Sequence, residues 1–427
     1  MIFDREKEIA DAILYEGYIL YPYRASAIKN RQRWTFGGVF PQGVEDEIST
    51  MKTEILLRAD AAARVEILVR FLQTQARRVR KLRIHASEGA VYERVAELDV
   101  EGQRYVTWNE AVEREITASD ILLSEVLSRP RRITFGAPAQ EAVETIYART
   151  GAVVGTVTRT CQALEGLLDI SATEIENSVL RLGVAVTNIT NLPESGRLSR
   201  ADAQTYAFMS THMLMHTPSG EFISILDPPA HLQAAAETCG NQGTWPVLVG
   251  EEGKRDKILS SPIILYDYPK VAPESKGPFF DGAEIDEMLA LRVLTLTDDE
   301  KREMMAADPR TKAMLERCEA MNGPDFASLH GALRPAEASH AEARSFDLSI
   351  GHHVRLNPKP RGDVFDLALK GKLATILAIE RDFDDRVHIA VTLMDDPGGD
   401  LGAAGFPGHR FYFSREEIEP VNSGDRP

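Results

Sequence analysis

Cysteine is nearly absent from this chain. Cys161, Cys239 and Cys318 are the only three in 427 residues, and they stand far apart. That excludes the dense, even set of a disulfide framework and any CxxC pair for zinc. Long hydrophobic runs are missing too. No stretch approaches the ~20 apolar residues that cross a bilayer, so membrane insertion is not expected. The opening MIFDREKEIADAIL is acidic and amphipathic, and it does not read as a secretory signal. A cytoplasmic location is the expectation. The GxGxxG, P-loop, GxSxG, HExxH and kinase signatures are all missing, which leaves nucleotide chemistry and serine hydrolysis without support. No catalytic residue is assigned and no cofactor is required. Positive charge is in deficit, with 49 Lys and Arg against 65 Asp and Glu and a net charge of −16. A nucleic-acid binder needs a basic surface to displace phosphate counterions, so nucleic acid is not expected as a partner.

What is present is an ordinary apolar fraction of 43%, in a chain long enough for two or three domains. Apolar residues Ile9, Ile13, Leu14 and Tyr18 have helical spacing over residues 4–20. TEILLR and RVEILVRFLQ read as strands, and RYVTWNEAVEREI continues the pattern. The clearest strand signal lies in 151–192. There Val179, Leu180, Leu182, Val184 and Val186 largely alternate with small or polar residues, and Asn177-Ser178 supplies the turn before them. The basic run RRVRKLR at 77–83 reads as a solvated strand edge. Further on, YAFMSTHMLMHTPSGEFISIL reads as a hairpin turning at Pro218-Ser219-Gly220, and TWPVLVG and SPIILYDYP as short buried strands.

The stretch 261–301 is the most informative. It joins an apolar strand, a proline-rich aromatic turn and an acidic helix with the apolar stripe Ile285, Met288, Leu289, Val293 and Leu296. Thr297 with Glu300 forms a capping box, and Asp308 precedes Pro309 at a first helical position. The expected fold class is therefore α+β and β-rich. A main body over 1–335 comprises an antiparallel sheet or sandwich at 52–192 and a mixed region at 202–330 with a helical pair at 283–320. An alanine- and charge-rich linker at 336–345 leads to a small SH3-like β-barrel at 346–422, whose strands are HHVRLNP, KLATILAIE, RVHIAVTLMDD and HRFYFS.

Several groups of residues are candidates for chemistry or binding. His212 and His216, four apart, share one face of a helix or strand, and Cys239 is the third ligand a divalent metal would want. Met-rich strands more often fill cores, which is the plainer reading of THMLMH. Cys239, beside Gly240 and Gly243, also suits a nucleophile, although no neighbouring histidine completes a dyad. Asp395, Asp396 and Asp400 in DDPGGD lack the full calcium-loop pattern and read as a polar hairpin loop. The segment 15–34 interleaves Tyr18, Tyr21, Tyr23 and Trp34 with Arg24 and Arg31, a composition typical of protein-interface hot spots. Tyr266, Tyr268, Phe279 and Phe280, followed by Glu284 and Glu287 at an acidic helix start, form a second candidate surface. Carboxylates in a first turn also complement the helix dipole without any partner.

ILYEGYILYPYRASAIKNRQRWTFG, TWPVLVG, SPIILYDYPKVAPESKGPFFDGAEIDEMLALRVLTLTDDEK and HIAVTLMDDPGGDLGAAGFPGHRFYFSREEIEP together give this chain a resemblance over nearly its whole length. It resembles uncharacterised bacterial proteins encoded alongside nickel–iron hydrogenase structural and maturation genes. The resemblance implies a cytoplasmic, non-catalytic accessory factor whose partner is a hydrogenase subunit or a maturation protein. It brings no site residues with it. The alternative is a metal-handling protein or metalloenzyme using His212, His216 and Cys239.

Overall fold

The structure, a computed structural model, describes residues 3, 6–31, 33, 36–85, 89–176, 178–193, 198–271, 275, 277–281, 285–322, 325–326, 329, 351–357, 369–381, 387–394 and 411–420. Two compact units are formed, Met1–Leu333 and Arg334–Pro427. The linker expected at 336–345 and the aspartates of DDPGGD lie outside the described residues.

The first unit opens with helix α1 (Glu6–Leu14). Strands β1 (Thr50–Ala59), β2 (Arg64–His85), β3 (Gly89–Val95), β4 (Glu97–Val100), β5 (Gln103–Val106) and β6 (Trp108–Leu122) follow. Next come helix α2 (Leu123–Ser128) and strands β7 (Arg131–Ala137), β8 (Gln140–Tyr147), β9 (Val153–Cys161), β10 (Leu164–Glu176) and β11 (Val179–Asn188). The short helix α3 (Arg200–Ala203) precedes β12 (Phe208–His216) and β13 (Gly220–Ile223), then helix α4 (Gln233–Glu237), β14 (Trp245–Leu248) and β15 (Lys257–Ser261). Helices α5 (Asp286–Leu294), α6 (Asp298–Ala307) and α7 (Pro309–Ala320) complete the run.

The strands form two main antiparallel sheets. One runs β13-β1-β11-β10-β7, and the other β14-β15-β12-β2-β9-β8, with β3 and β6 also paired to β2. The alternation read in 179–186 holds: Leu182, Val184 and Val186 lie opposite Ala172, Ile170 and Leu168 of β10, and all six are buried. They share a core with Val65, Ile67, Val69 and Phe71 of β2 and with Met213 and Met215 of β12. Both sheets thus bury one face in common. The second sheet buries its other face as well. Leu72 packs among the tyrosines and helices α5 to α7, and Leu68 packs near α1. Burial on both faces explains why Ile67, Leu68 and Val69, and then Phe71 and Leu72, run together without apolar–polar alternation.

Several sequence expectations are corrected here. The first helix ends at Leu14, because Gly17 adopts φ +69° and turns Tyr18 into the core. The run RRVRKLR is no edge. Residues 77–81 lie in mid-sheet with β9 on one side, and β6 and then β3 on the other. Arg77 is buried there because every donor direction it uses finds a partner. Its Nη1 donates to Glu110 at 2.8 Å, Nε to the Val106 carbonyl at 2.9 Å, and Nη2 to the carbonyls of Ala306 and Ala307 at 2.8 Å, which caps the C-terminus of α6.

The turn at 218–220 does not close a hairpin. Strand β12 pairs with β2 and β15, while β13 joins β1 in the other sheet, so turn chemistry marked a change of direction but not the pairing partner. SPIILYDYP is not a strand. The strand ends at Ser261, Pro262 lacks the N–H a ladder needs, and Ile264 and Tyr266 are exposed. The expected helical pair is three helices, because the stripe before Thr297 and both start signals after it each build one.

The second unit contains an antiparallel, nearly closed barrel-like sheet of strands β16 (His353–Leu356), β17 (Leu373–Arg381), β18 (Val387–Leu393), β19 (Phe411–Ser414) and β20 (Ile418–Pro420), in the order β19-β18-β17-β16-β20. Its core gathers Val354, Leu356, Ile376, Ile389, Val391 and Phe413. Four strands match the sequence expectation. The fifth is three residues long and ends in proline, too short for an alternation signal. Among the described residues no helix is long and apolar enough to cross a membrane.

Candidate partner-binding cavity

Helix α1 buries Ala10, Ile13 and Leu14 and turns Glu8, Asp11 and Ala12 outward. Helix α7 starts on Asp308, whose carboxylate accepts from the Arg310 N–H at 2.8 Å, with Pro309 in the first turn. It buries Thr311, Met314, Leu315 and Cys318, and carries Arg310, Ala313 and Arg317 along its other side at helical spacing. The segment 277–281 closes the space between the two helices. Its carbonyls are tied down: Phe280 O accepts from Gly17 N at 3.0 Å, Phe279 O from the Tyr23 hydroxyl at 2.9 Å, and Pro278 O from Arg317 Nη2 at 2.7 Å. Gly277 adopts φ +126°, a backbone conformation that L side chains rarely take, so the turn here depends on glycine.

These elements enclose a cavity of about 530 Å³. Tyr15, Phe279 and Phe280 supply its apolar walls. Carboxylates Glu8, Asp11, Glu16, Glu113, Asp281 and Asp286 line it against the two arginines Arg310 and Arg317. Arg310 lies over the Tyr15 ring, 4.1 Å from its centroid, bonds the Tyr15 hydroxyl and pairs with Glu113 at 3.2 Å. The Tyr15 hydroxyl donates to Glu113 at 2.5 Å. Burial first, and then that bond, push its phenol well above the usual tyrosine range and keep it protonated.

Behind the wall, Arg70 of β2 is nearly inaccessible. It meets Asp11 at 2.6 Å and Glu113 at 3.7 Å, and its Nε stands 3.0 Å from Glu115 without the alignment of a hydrogen bond. The carboxylates on this side are thus partly held by Arg70 and Arg310, and the lining remains acidic.

The residues expected to bind a partner fall into three groups. Phe279 and Phe280 line the cavity. Tyr18 and Tyr23 do not present a surface. Both are fully buried, because each aromatic ring removes roughly 150–250 Å² from water and packs best where two layers meet. Tyr18 sits edge-on to Tyr15, with Arg33 held between the Tyr18 and Trp108 rings, and burial lowers the Arg33 pKa to about 10. Tyr21 is half-buried under Arg292, and Arg24 is half-buried and paired with Glu300 at 3.0 Å.

Three more, Tyr266, Tyr268 and Glu287, lie away from the lining. Tyr266 is exposed, Tyr268 donates to the Lys254 carbonyl at 2.9 Å, and Glu287 is half-buried on α5. Trp34, Glu284 and the Arg31 side chain lie outside the described residues. Glu8, Asp11, Glu113, Arg310 and Arg317 were not singled out from the sequence. The helical spacing of Glu8 with Asp11 and of Arg310 with Arg317 was visible, and Glu113 sits on strand β6, but charges on an exposed face carry no mark that distinguishes a site from solvated surface.

The metal candidates do not converge. His212 is fully buried in β12, with Nδ1 2.9 Å from the Ser210 carbonyl and Nε2 without a partner among the described residues. Burial lowers its pKa to about 4, with Arg70 adding to the shift. His216 Nε2 lies 3.7 Å from Asp256. Cys239 packs after α4 against Leu56, Val179 and Ile223 of the other sheet, and burial raises its thiol pKa, which opposes a thiolate nucleophile. Among the described residues no group of three or more His, Cys, Asp or Glu side chains is placed to hold a metal ion.

No protein-family model matches the chain, and no curated protein matches its sequence.

Proposed function

We propose that this chain is a non-catalytic accessory factor that holds a basic segment of a protein partner in the cavity between α1 and α7. The observation that carries the reading is the pairing of aromatic walls with an acidic lining: Tyr15, Phe279 and Phe280 offer rings, while Glu8 and Asp281 offer carboxylates. Such a site suits a Lys or Arg side chain, whose stem lies on apolar surface while its charge meets the rim. The carbonyl ties at 278–280 hold the aromatic wall in place before binding, which lowers the ordering cost of capture.

The resemblance to proteins encoded beside nickel–iron hydrogenase genes names the partner in this proposal as a hydrogenase subunit or maturation protein, met in the cytoplasm. The finer architecture belongs to the same proposal. The two sheets that share one core are read as a sandwich, and the C-terminal sheet as an SH3-like barrel, a form that commonly binds partners.

Charge reversal tests the reading. In Glu8→Lys with Asp281→Lys, co-purification of the hydrogenase-type partner with the tagged chain is expected to be lost, while the thermal unfolding midpoint stays close to that of the unaltered protein. Retention of the partner by this variant would overturn the proposal.

A further inference from the structure

A second cleft, of about 410 Å³, opens where α6 and the β4–β5 hairpin meet strands β2 and β9. In a chain of net charge −16 its lining is cationic, with Arg77, Arg104, Arg159, Arg302 and Lys312 against the single carboxylate Glu144. Burying like charges together is unfavourable unless anions answer them. Here the answer comes from carboxylates at the cleft's edges. One Asp299 oxygen accepts from Arg104 Nη2 at 2.7 Å and from Arg302 Nη2 at 3.1 Å. Glu110 bridges Arg77 at 2.8 Å and Arg159 at 3.1 Å, and Glu144 meets Arg159 at 3.0 Å.

The two bridges differ in kind. Glu110 is largely buried, and Arg77 is locked by its carbonyl bonds at the end of α6, so this pair is framework. Asp299 has a side chain 63% exposed and, from the first turn of α6, meets Arg104 and Arg302 at the cleft's rim. Among the described residues, Arg104 makes one hydrogen bond and a longer contact to Glu97 at 3.8 Å, and Arg302 makes one bond. Lys312 has only a 3.9 Å contact to Glu316. Donors on three cationic side chains therefore remain for a ligand.

We propose that this cleft is a binding site for a phosphate-bearing small molecule, and that the Asp299 carboxylate stands in for the ligand's oxygens between Arg104 and Arg302. A monocarboxylate would exchange like for like with Asp299 and gain little. A phosphate brings about two charges and three acceptor oxygens, enough to meet both guanidiniums and the Lys312 ammonium together. This inference is independent of the acidic cavity, which serves a ligand of opposite charge.

The test is titration of the full chain with pyrophosphate and inorganic phosphate by calorimetry at low salt, with sodium chloride of matched ionic strength as control. Binding is expected in the unaltered protein. Arg302→Gln with Lys312→Gln, both exposed positions, should weaken it at least about tenfold, the effect of losing one charge-assisted contact. Asp299→Asn, which frees the clamp, should tighten it. Heat that tracks ionic strength alone overturns the proposal, as does pyrophosphate affinity unchanged in both variants. Tighter binding in Asp299→Asn also separates a ligand site from a purely structural ion-pair cluster, which removing the carboxylate would only loosen.

Discussion

The Tyr18 hydroxyl donates to Asp308 Oδ2 at 2.6 Å, across 290 residues of chain, with both side chains buried. Asp308 is also the N-cap of α7. One contact therefore ties the turn after α1 to the N-cap of α7, and these two helices flank the acidic cavity. Tyr18→Phe removes the donor and leaves a buried carboxylate oxygen short of a partner. The expected loss is about 1.5–3 kcal/mol. It should read as a lower urea midpoint with an unchanged slope. A midpoint equal to that of the unaltered protein would show that the contact is not holding these helices.

Gly37 has φ +59°, and a Cβ there would stand 2.8 Å from Pro262 Cγ and 3.0 Å from the Thr211 nitrogen. Gly37→Ala combines left-handed backbone strain with a clash against backbone. A cost of roughly 1–3 kcal/mol is expected in chemical unfolding. Gly43 has φ +89° and open space around it, so Gly43→Ala should suffer the strain alone and lose less.

Arg77→Met should be among the most damaging single changes. It leaves the largely buried Glu110 with Arg159 as its remaining cation among the described residues and uncaps the end of α6, with an expected loss of about 3 kcal/mol. Adding Glu110→Met is expected to recover part of that loss, because the double variant no longer buries a carboxylate that has lost its nearer cation, and Arg159 keeps Glu144. A double-variant loss equal to the sum of the two single-variant losses in thermal unfolding would contradict the pairing.

His212 gives stability a pH dependence. Its folded pKa is lowered from the ordinary 6.5 to about 4 by burial, so between these values the unfolded chain binds a proton that the folded chain does not. Above pH 6.5 the residue contributes nothing. As pH falls from 6.5 towards 4 stability drops, and below 4 the loss is complete, on the order of 3 kcal/mol. His212→Gln should flatten the unfolding free energy across that window. A slope identical in the two proteins would contradict the assignment.

The strands and caps were legible because their signals are local. The alternation of Leu182, Val184 and Val186, the Thr297–Glu300 box and the Asp308–Pro309 start each act within a few residues. What was not legible depends on distant partners. Arg77 looks like surface until Glu110 and the carbonyls of α6 are placed around it. Tyr18 and Tyr23 have the composition of an interface, but the helices 280 or so residues later cover them. Of the candidate surface, Phe279 and Phe280 were found from their aromatic run. Glu8, Asp11 and Arg310 were not, because a solvated charge and a site charge have the same local pattern.

The most direct test of the proposed function is site-specific photo-crosslinking from Ala313, an exposed residue that lines the acidic cavity. The crosslinker is introduced there in the native host, with Glu221 of β13, which does not line it, as the control position. The expected result is an adduct at Ala313 with a nickel–iron hydrogenase subunit or maturation protein, linked through a Lys- or Arg-rich peptide and missing from the control. Adducts that form equally at both positions, or none at Ala313, would contradict the proposal that this cavity captures a basic partner segment.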